Sequence, residues 1–210
     1  MQEKISIMGE GVAVYFWNIL LVITEMGCVY KMDKHYENLL LAFEEAEKAR
    51  DEGTFPIGAI IVDADGSVVS RGRNRVFSSC DSTAHAEVDA IRKAGNVILH
   101  LESKKFIPKN ELTLYTTCEP CPMCTGTIVL SLIKKVVWAA NDRDIGAFKK
   151  FKELNSELPI YNDLFRDIEF VAAPYRDLEL RQRKMLAEWN NSRGYTDNHW
   201  NDELVNENVQ

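Results

Sequence analysis

Two residue patterns, one typical of strands and one typical of helices, alternate along the chain between positions 35 and 190. Short apolar runs rich in β-branched residues, typical of buried strands, occupy 57–62, 68–71, 112–116, 135–139 and 168–172. Longer segments with an apolar stripe or body, typical of helices, occupy 35–52, 85–94, 122–132 and 176–190. Strands alternating with helices predict an α/β fold in which helices cover a central sheet.

The chain ends differ from this pattern and predict three regions. Residues 1–31 form an N-terminal extension, 32–190 the main domain and 191–210 a polar tail, predicted to be loose apart from Trp200. The apolar run at 12–23 is too short for a membrane span, which needs about 20 residues. The extension is therefore either an extra helix or strand packed on the domain, or a mis-assigned start. Translation beginning at Met32 is favoured, because the domain pattern starts immediately after it.

Charge and cysteine usage narrow the class of partner and the compartment. The net charge of −7 sets up a long-range field that repels phosphate, so a small-molecule substrate is favoured over nucleic acid. Three of the five cysteines fall within 118–124, and the total is odd. This usage does not resemble a secreted disulfide framework and predicts cysteines acting as ligands in a reducing cytoplasm.

Two short motifs carry the candidate chemistry. One is His85-Ala86-Glu87, and the other runs Pro120-Cys121-Pro122-Met123-Cys124. Together they match the H-x-E…P-C-x-x-C pattern typical of zinc-dependent nucleobase deaminases. Two thiolates spaced by two residues at a strand-to-helix junction can converge on one metal ion, with the His85 imidazole as third ligand.

The pattern also assigns roles around the predicted zinc. Three protein ligands leave one tetrahedral position for water, which is the arrangement of a catalytic rather than a structural zinc site. Glu87 lies two residues beyond His85 and is predicted to take a proton from that water and pass it to the base. The expected reaction is hydrolytic removal of an exocyclic amino group, with release of ammonia.

Other interpretations of the same residues stay open. A Cys-x-x-Cys pair alone could be a redox pair, but a redox pair needs no His-x-Glu motif. Cys118 could be a fourth ligand, although filling the open position would remove the water. A non-catalytic zinc-binding interaction domain is a third alternative, against which the intact Glu87 argues.

Three blocks resemble the cytidine and deoxycytidylate deaminase superfamily: FPIGAIIV at 55–62, STAHAEVDAIR at 82–92 and TLYTTCEPCPMCTGTIV at 113–129. They are most similar to the branch holding guanine, tRNA wobble adenosine and fungal-type cytosine deaminases, and the string CEPCPMC is most similar to guanine deaminase. The resemblance implies a three-layer α/β/α sandwich with a central mixed sheet of about five strands. It also implies a homodimer with helices near the metal site at the interface.

The resemblance further implies that the Asn74 side chain and the Ala86 backbone bind the base. The segment 141–151 matches neither the acidic pair of guanine deaminases nor the Lys-Thr-Gly-Ala-like loop of the tRNA enzymes. A free purine, guanine first, is the leading substrate, and tRNA adenosine is the alternative. A tRNA substrate would need a basic groove, and the candidate residues are Lys104, Lys105, Lys109, Lys134, Lys135, Lys149, Lys150 and Lys152.

Overall fold

A computed structural model describes residues 7–8, 11–16, 19–23, 29–31, 33–106, 111–153 and 159–202. The chain divides into two compact units, Met1–Glu37 and Asn38–Gln210. In the first unit four antiparallel strands follow one another, in sheet order β1-β2-β3-β4. Their bounds are β1 Ile7–Met8, β2 Gly11–Phe16, β3 Ile19–Ile23 and β4 Val29–Lys31. The apolar run at 12–23 thus contributes to β2 and β3.

From Lys34 onward the described elements include the five predicted strands and the four predicted helices, and they add three short helices and one pair of two-residue strands that the sequence patterns did not predict. In chain order they are α1 (Lys34–Asp51), β5 (Gly58–Val62), β6 (Val68–Arg73), α2 (Ala86–Lys93), α3 (Gly95–Ile98), β7 (Leu99–His100), β8 (Lys105–Phe106), β9 (Thr113–Cys118), α4 (Pro122–Leu130), β10 (Lys135–Ala140), α5 (Phe148–Glu153), α6 (Pro159–Arg166), β11 (Glu169–Ala172) and α7 (Arg176–Ser192).

The second unit is built on a five-stranded sheet in the order β11-β10-β9-β5-β6. Strand β5 runs antiparallel to both neighbours, β6 and β9, whereas β9, β10 and β11 are parallel to one another. Ala59 lies opposite Thr116 of β9 and Gly72 of β6, which fixes the register at the centre of the sheet. The mixed sheet of five strands confirms the predicted fold class.

Helices cover both faces of this sheet. On one face, α2 packs so closely on β6 that a Cβ atom on Gly72 would lie 2.3 Å from the Ala86 carbonyl oxygen. The opposite face carries α1, since a Cβ atom on Gly58 would lie 2.1 Å from the Ala42 carbonyl oxygen. Both glycines are therefore required by close backbone approach. The architecture is a three-layer α/β/α sandwich.

Several element ends differ by one or two residues from the sequence-based prediction, and two of the differences have a local cause. Neither Ser82 nor Thr83 caps α2, because the N-cap residue is His85 and it makes no side-chain capping bond. The Thr83 hydroxyl instead donates to Asp81 Oδ1 at 2.7 Å. Helix α4 ends at Leu130, two residues earlier than predicted, and Leu132 has a φ of +58° that a helix cannot continue.

The described part of the C-terminal region makes defined contacts up to residue 202, whereas the sequence predicted a loose tail apart from Trp200. Trp200 is 5% exposed and packs with Leu186 of α7 and Ala140 of β10. His199 Nδ1 lies 2.8 Å from Asp144 Oδ2, and Arg143 donates to Asp202 Oδ2 at 3.2 Å.

Among the described residues, no helix combines the length and the apolar character needed to cross a membrane.

Candidate metal centre and active site

The N-termini of two helices supply the candidate metal ligands. His85 is the N-cap residue of α2, and Cys121 is the N-cap residue of α4, each with an extended backbone. Pro122 begins α4, where its missing N–H is not needed, and Cys124 follows in the first turn. Free N–H groups at a helix N-terminus favour the thiolate form of a nearby cysteine. The local sequence thus prepares this end of α4 to hold a cation through sulfur.

The three ligand atoms converge as a metal site requires. His85 Nδ1 lies 3.6 Å from Cys121 Sγ and 3.5 Å from Cys124 Sγ. All three donor atoms lie within 4.8 Å of one another. A tetrahedral zinc ion with ordinary Zn–S and Zn–N bonds separates its nitrogen and sulfur ligands by about 3.6 Å. The donor set and its spacing therefore fit Zn²⁺.

The protonation of this cluster is set by its own hydrogen bonds. The pKa of Cys121 is lowered to about 4, chiefly because the Cys124 thiol donates a hydrogen bond to it. The pKa of Cys124 is raised because this thiol keeps the shared proton and because it is buried. The hydrogen bond to Cys121 also raises the pKa of His85. If Cys121 and Cys124 hold zinc as thiolates, zinc binding would release the Cys124 proton.

Glu87 lies directly beside the candidate ligands. Its side chain is buried, and its Oε2 lies 3.3 Å from the Cys124 Sγ. The Thr116 hydroxyl of β9 donates to its Oε1 at 3.5 Å. Burial raises the pKa of Glu87 above the usual range of a glutamate. The arrangement places one carboxyl group that can gain or lose a proton next to the candidate metal ligands.

Asn74 is buried at the end of β6, and its side-chain orientation is fixed. Its Oδ1 accepts hydrogen bonds from the Thr54 hydroxyl at 2.7 Å and from the Val76 N–H at 3.1 Å. The next residue, Arg75, donates its N–H to the Ala84 carbonyl at 2.8 Å. The chain that follows Asn74 therefore runs beside the segment that leads into His85. Ala86, the residue after His85, begins α2.

Cys118 is separate from the three-ligand cluster. It is buried at the end of β9, with its Sγ 3.9 Å from Asp142 Oδ2, and burial holds its pKa well above the ordinary value. Within the described part of the chain, the cluster of candidate ligands contains His85, Cys121 and Cys124 without it. The geometry thus favours three protein ligands over four.

Sequence reasoning missed three polar side chains that support these groups: Thr54 behind Asn74, Thr116 behind Glu87, and Glu119 just before the cysteine pair. The two threonines had no local signal, because their partners lie 20 and 29 residues away in the chain. Glu119 did have a local signal in the sequence, because it is a carboxylate two residues from a candidate metal ligand.

Comparison with known proteins places this site in a family. The family described as the cytidine and deoxycytidylate deaminase zinc-binding region matches residues 32–140. The chain is 47% identical over 89 residues to guanine deaminase of Bacillus subtilis, covering 42% of this chain and 53% of that protein. It is 41% identical over 115 residues to tRNA-specific adenosine deaminase of Aquifex aeolicus, covering 55% of this chain and 71% of that protein.

A solved structure from a study of A-to-I editing by tRNA:A34 deaminases also matches. It superposes with a TM-score of 0.54 at 29% identity and covers 67% of this chain and 99% of that one. The chain spans only about half the length of the Bacillus subtilis relative and 8% of the length of another curated relative. The family match nonetheless covers more than half of the chain, with the three candidate ligands inside it. The chain belongs to the cytidine and deoxycytidylate deaminase family and carries its zinc-binding region.

Proposed function

We propose that this protein is a hydrolytic deaminase that removes an exocyclic amino group from a nucleobase or nucleoside. The observation behind the proposal is the contact of Glu87 with a three-donor cluster. Its carboxylate lies 3.3 Å from the Cys124 sulfur, which together with His85 and Cys121 forms the candidate zinc site. A buried proton carrier beside an open metal site is what hydrolysis of a C–N bond at neutral pH requires.

Each residue then has a distinct role. His85, Cys121 and Cys124 would hold zinc, which when bound makes water available as a nucleophile at neutral pH. Glu87 would hold the transferred proton, and its raised pKa brings it closer to neutral pH, where a general acid–base group works best. Thr116 orients the Glu87 carboxylate. The Asn74 side chain and the Ala86 backbone would bind the base.

Glu87→Ala tests the assigned role directly. The variant should keep its zinc, because Glu87 is not among the three candidate ligands. It should lose deaminase activity by a factor of at least about 100, the lower range for loss of general acid–base catalysis. Zinc content and ammonia release are measured on the same preparation. Retained activity in the zinc-loaded variant would show that the proton carrier is a different group.

A free purine, guanine first, is the proposed substrate. The net charge of −7 disfavours a polyanionic partner, and the cysteine string resembles that of guanine deaminases. The 47% identity to guanine deaminase of Bacillus subtilis is compatible with this choice but does not discriminate it from a tRNA substrate, since a tRNA-specific deaminase matches at 41%. Zinc-loaded protein is to be screened with guanine, adenine, cytosine and their nucleosides for ammonia release. We expect the greatest rate of ammonia release with guanine. If no compound releases ammonia, these free bases and nucleosides are excluded as substrates.

A tRNA adenosine is the second candidate, because tRNA-specific deaminases match at similar identity. Two of the lysines that would form a basic groove already have internal partners. Lys149 Nζ donates to Asn141 Oδ1 at 2.8 Å, and Lys152 Nζ donates to the carbonyl oxygens of Phe165 and Ile168. Binding of tRNA through the remaining lysines would weaken steeply with rising salt. Salt-independent or absent tRNA binding would exclude this candidate.

A homodimer in the cytoplasm completes the proposal. Helix α4, which carries the cysteine pair, ends in an exposed Leu130 that a second copy of the chain could cover. Light scattering coupled to size-exclusion chromatography measures the mass in solution. A mass near twice 24.0 kDa is expected, and a monomer at micromolar concentration would contradict the proposal.

A further inference from the structure

The Glu119 carboxylate is buried in the connection between β9 and α4, and a loop of the chain wraps around it. The side chain is 7% exposed. Its Oε2 accepts a hydrogen bond from the Asp142 N–H at 3.3 Å, and its Oε1 accepts one from the Lys149 N–H at 3.5 Å. These amides stand at the two ends of residues 142–149, which we call the wrapped loop. One side chain thus holds both ends of the loop.

The middle of the wrapped loop also lies against the same carboxylate. A Cβ atom on Gly146 would lie 2.7 Å from Glu119 Oε2 and 2.3 Å from the Asp142 carbonyl oxygen. Only a residue without a side chain therefore permits this approach. The Ala147 N–H donates to the Pro120 carbonyl at 3.0 Å, so backbone contacts continue the attachment.

Within the described ranges, no ion pair to a lysine, arginine or histidine involves Glu119. A buried carboxylate is tolerated only where hydrogen bonds replace its water, and here backbone amides of the wrapped loop do so. The Asp142 carboxylate adds a second layer, because its Oδ1 accepts the N–H groups of Asp144 and Ile145 at 2.9 and 3.2 Å. Hydrogen bonds within the loop therefore fix the conformation of its first turn.

Glu119 also belongs to the segment that carries the metal ligands. It stands two residues before Cys121, and its own N–H donates to the Ala140 carbonyl at 2.8 Å, where β10 enters the wrapped loop. The loop overlaps 141–151, the segment in which this sequence departs from both the guanine deaminase and the tRNA deaminase patterns. A shift of Glu119 would thus move this loop relative to the candidate zinc site.

We propose that Glu119 is a positioning residue that fixes the wrapped loop against the metal centre and so governs how substrate binds. The inference rests on the proposed deaminase function for its substrate part only. Glu119 makes no contact with the reacting atoms in this account. Its action passes through the loop backbone, and the expected consequence is a change in KM and substrate preference with zinc retained.

Glu119→Gln is the test variant, because it keeps the shape and one acceptor oxygen but presents an amide NH₂ to the other loop N–H. Amide hydrogen exchange in residues 142–149 should speed up about tenfold, while exchange in α2 stays unchanged. Gly146→Ala disturbs the same contact from the loop side and should give the same exchange pattern. Glu111→Gln, an exposed glutamate before β9, is the matched control and should exchange as the wild type does.

Steady-state kinetics on the zinc-loaded variants provide the second measurement. Both test variants should raise KM about tenfold or more and alter the ratio of rates between substrates, with a smaller change in kcat. Unchanged exchange in the loop, or loss of zinc from Glu119→Gln, would overturn the inference. If the wild-type protein releases no ammonia from any substrate, the proposed function is contradicted. The hydrogen-exchange result would then still test whether Glu119 fixes the wrapped loop.

Discussion

At the scale of single residues, two buried thiols at opposite ends of one short segment have different surroundings. Cys124 lies 3.5 Å from His85 Nδ1, whereas Cys118 lies against Asp142 and outside the ligand cluster. Both side chains are almost fully buried, so burial alone does not distinguish them. The distance to the His85 imidazole distinguishes them. Substitution of each cysteine in turn is therefore a matched test of the ligand assignment.

Cys118→Ala should therefore retain one zinc per chain, and Cys124→Ala should lose it, because removal of one of three protein ligands leaves too few for tight binding. Zinc is quantified after dialysis against a weak chelator. The Cys118 variant controls for the general effect of deleting a buried sulfur. Zinc loss from both variants to the same degree would favour a four-ligand structural site.

At the scale of elements, a charged contact ties the end of α1 to the end of β6, one residue before Asn74. Arg73 Nε donates to Glu52 Oε1 at 2.8 Å. This hydrogen bond lowers the pKa of Glu52, and the same contact raises that of Arg73. Because the Glu52 side chain is 32% exposed, solvent screens the interaction and keeps its contribution small.

Glu52→Gln should lower the free energy of unfolding at pH 7 by less than about 1 kcal/mol. Since the folded-state pKa of Glu52 is lowered, its contribution is complete above the pKa of the unfolded chain, about 4.3. The contribution is then lost as the pH falls through the folded-state pKa. Urea unfolding of wild type and variant between pH 7 and pH 3 measures the difference, which should shrink toward acid. A difference that grows toward acid would contradict the assigned contact.

At the scale of the whole second unit, residues near the end of the described chain contribute to the core. Trp200 packs with Leu186 and Ala140, and its ring lies 4.1 Å from that of His199. Tyr195, five residues earlier, is 61% exposed. The two aromatic side chains therefore differ in burial while sharing the same C-terminal segment.

Trp200→Ala should lower the free energy of unfolding by about 3 kcal/mol, the usual result of deleting a large buried aromatic side chain. Tyr195→Ala is the matched control and should change it by less than about 1 kcal/mol. Both values come from denaturant unfolding followed by circular dichroism. Equal losses for the two variants would show that the packing of Trp200 adds nothing.

The sequence predicted those elements and ligands that are determined by the spacing of nearby residues. The five sheet strands and four of the helices follow short apolar patterns, and the ligands follow two motifs that are each only a few residues long. It could not predict contacts between distant polar residues, such as Thr54 with Asn74 or Glu119 with Lys149, 20 and 30 residues apart. Helices α3, α5 and α6 were missed. In α5, for example, the FKKFKE sequence is too short and too charged to show a helical period.

The deaminase proposal requires that His85, Cys121 and Cys124 hold one zinc ion and leave a fourth position to a non-protein ligand. X-ray absorption spectroscopy of the zinc-loaded protein measures this most directly. We expect two sulfur atoms at about 2.3 Å and two nitrogen or oxygen atoms at about 2.0–2.1 Å. A shell of three or more sulfur atoms would contradict the account, because Cys118 would then have to occupy the place that the reaction needs.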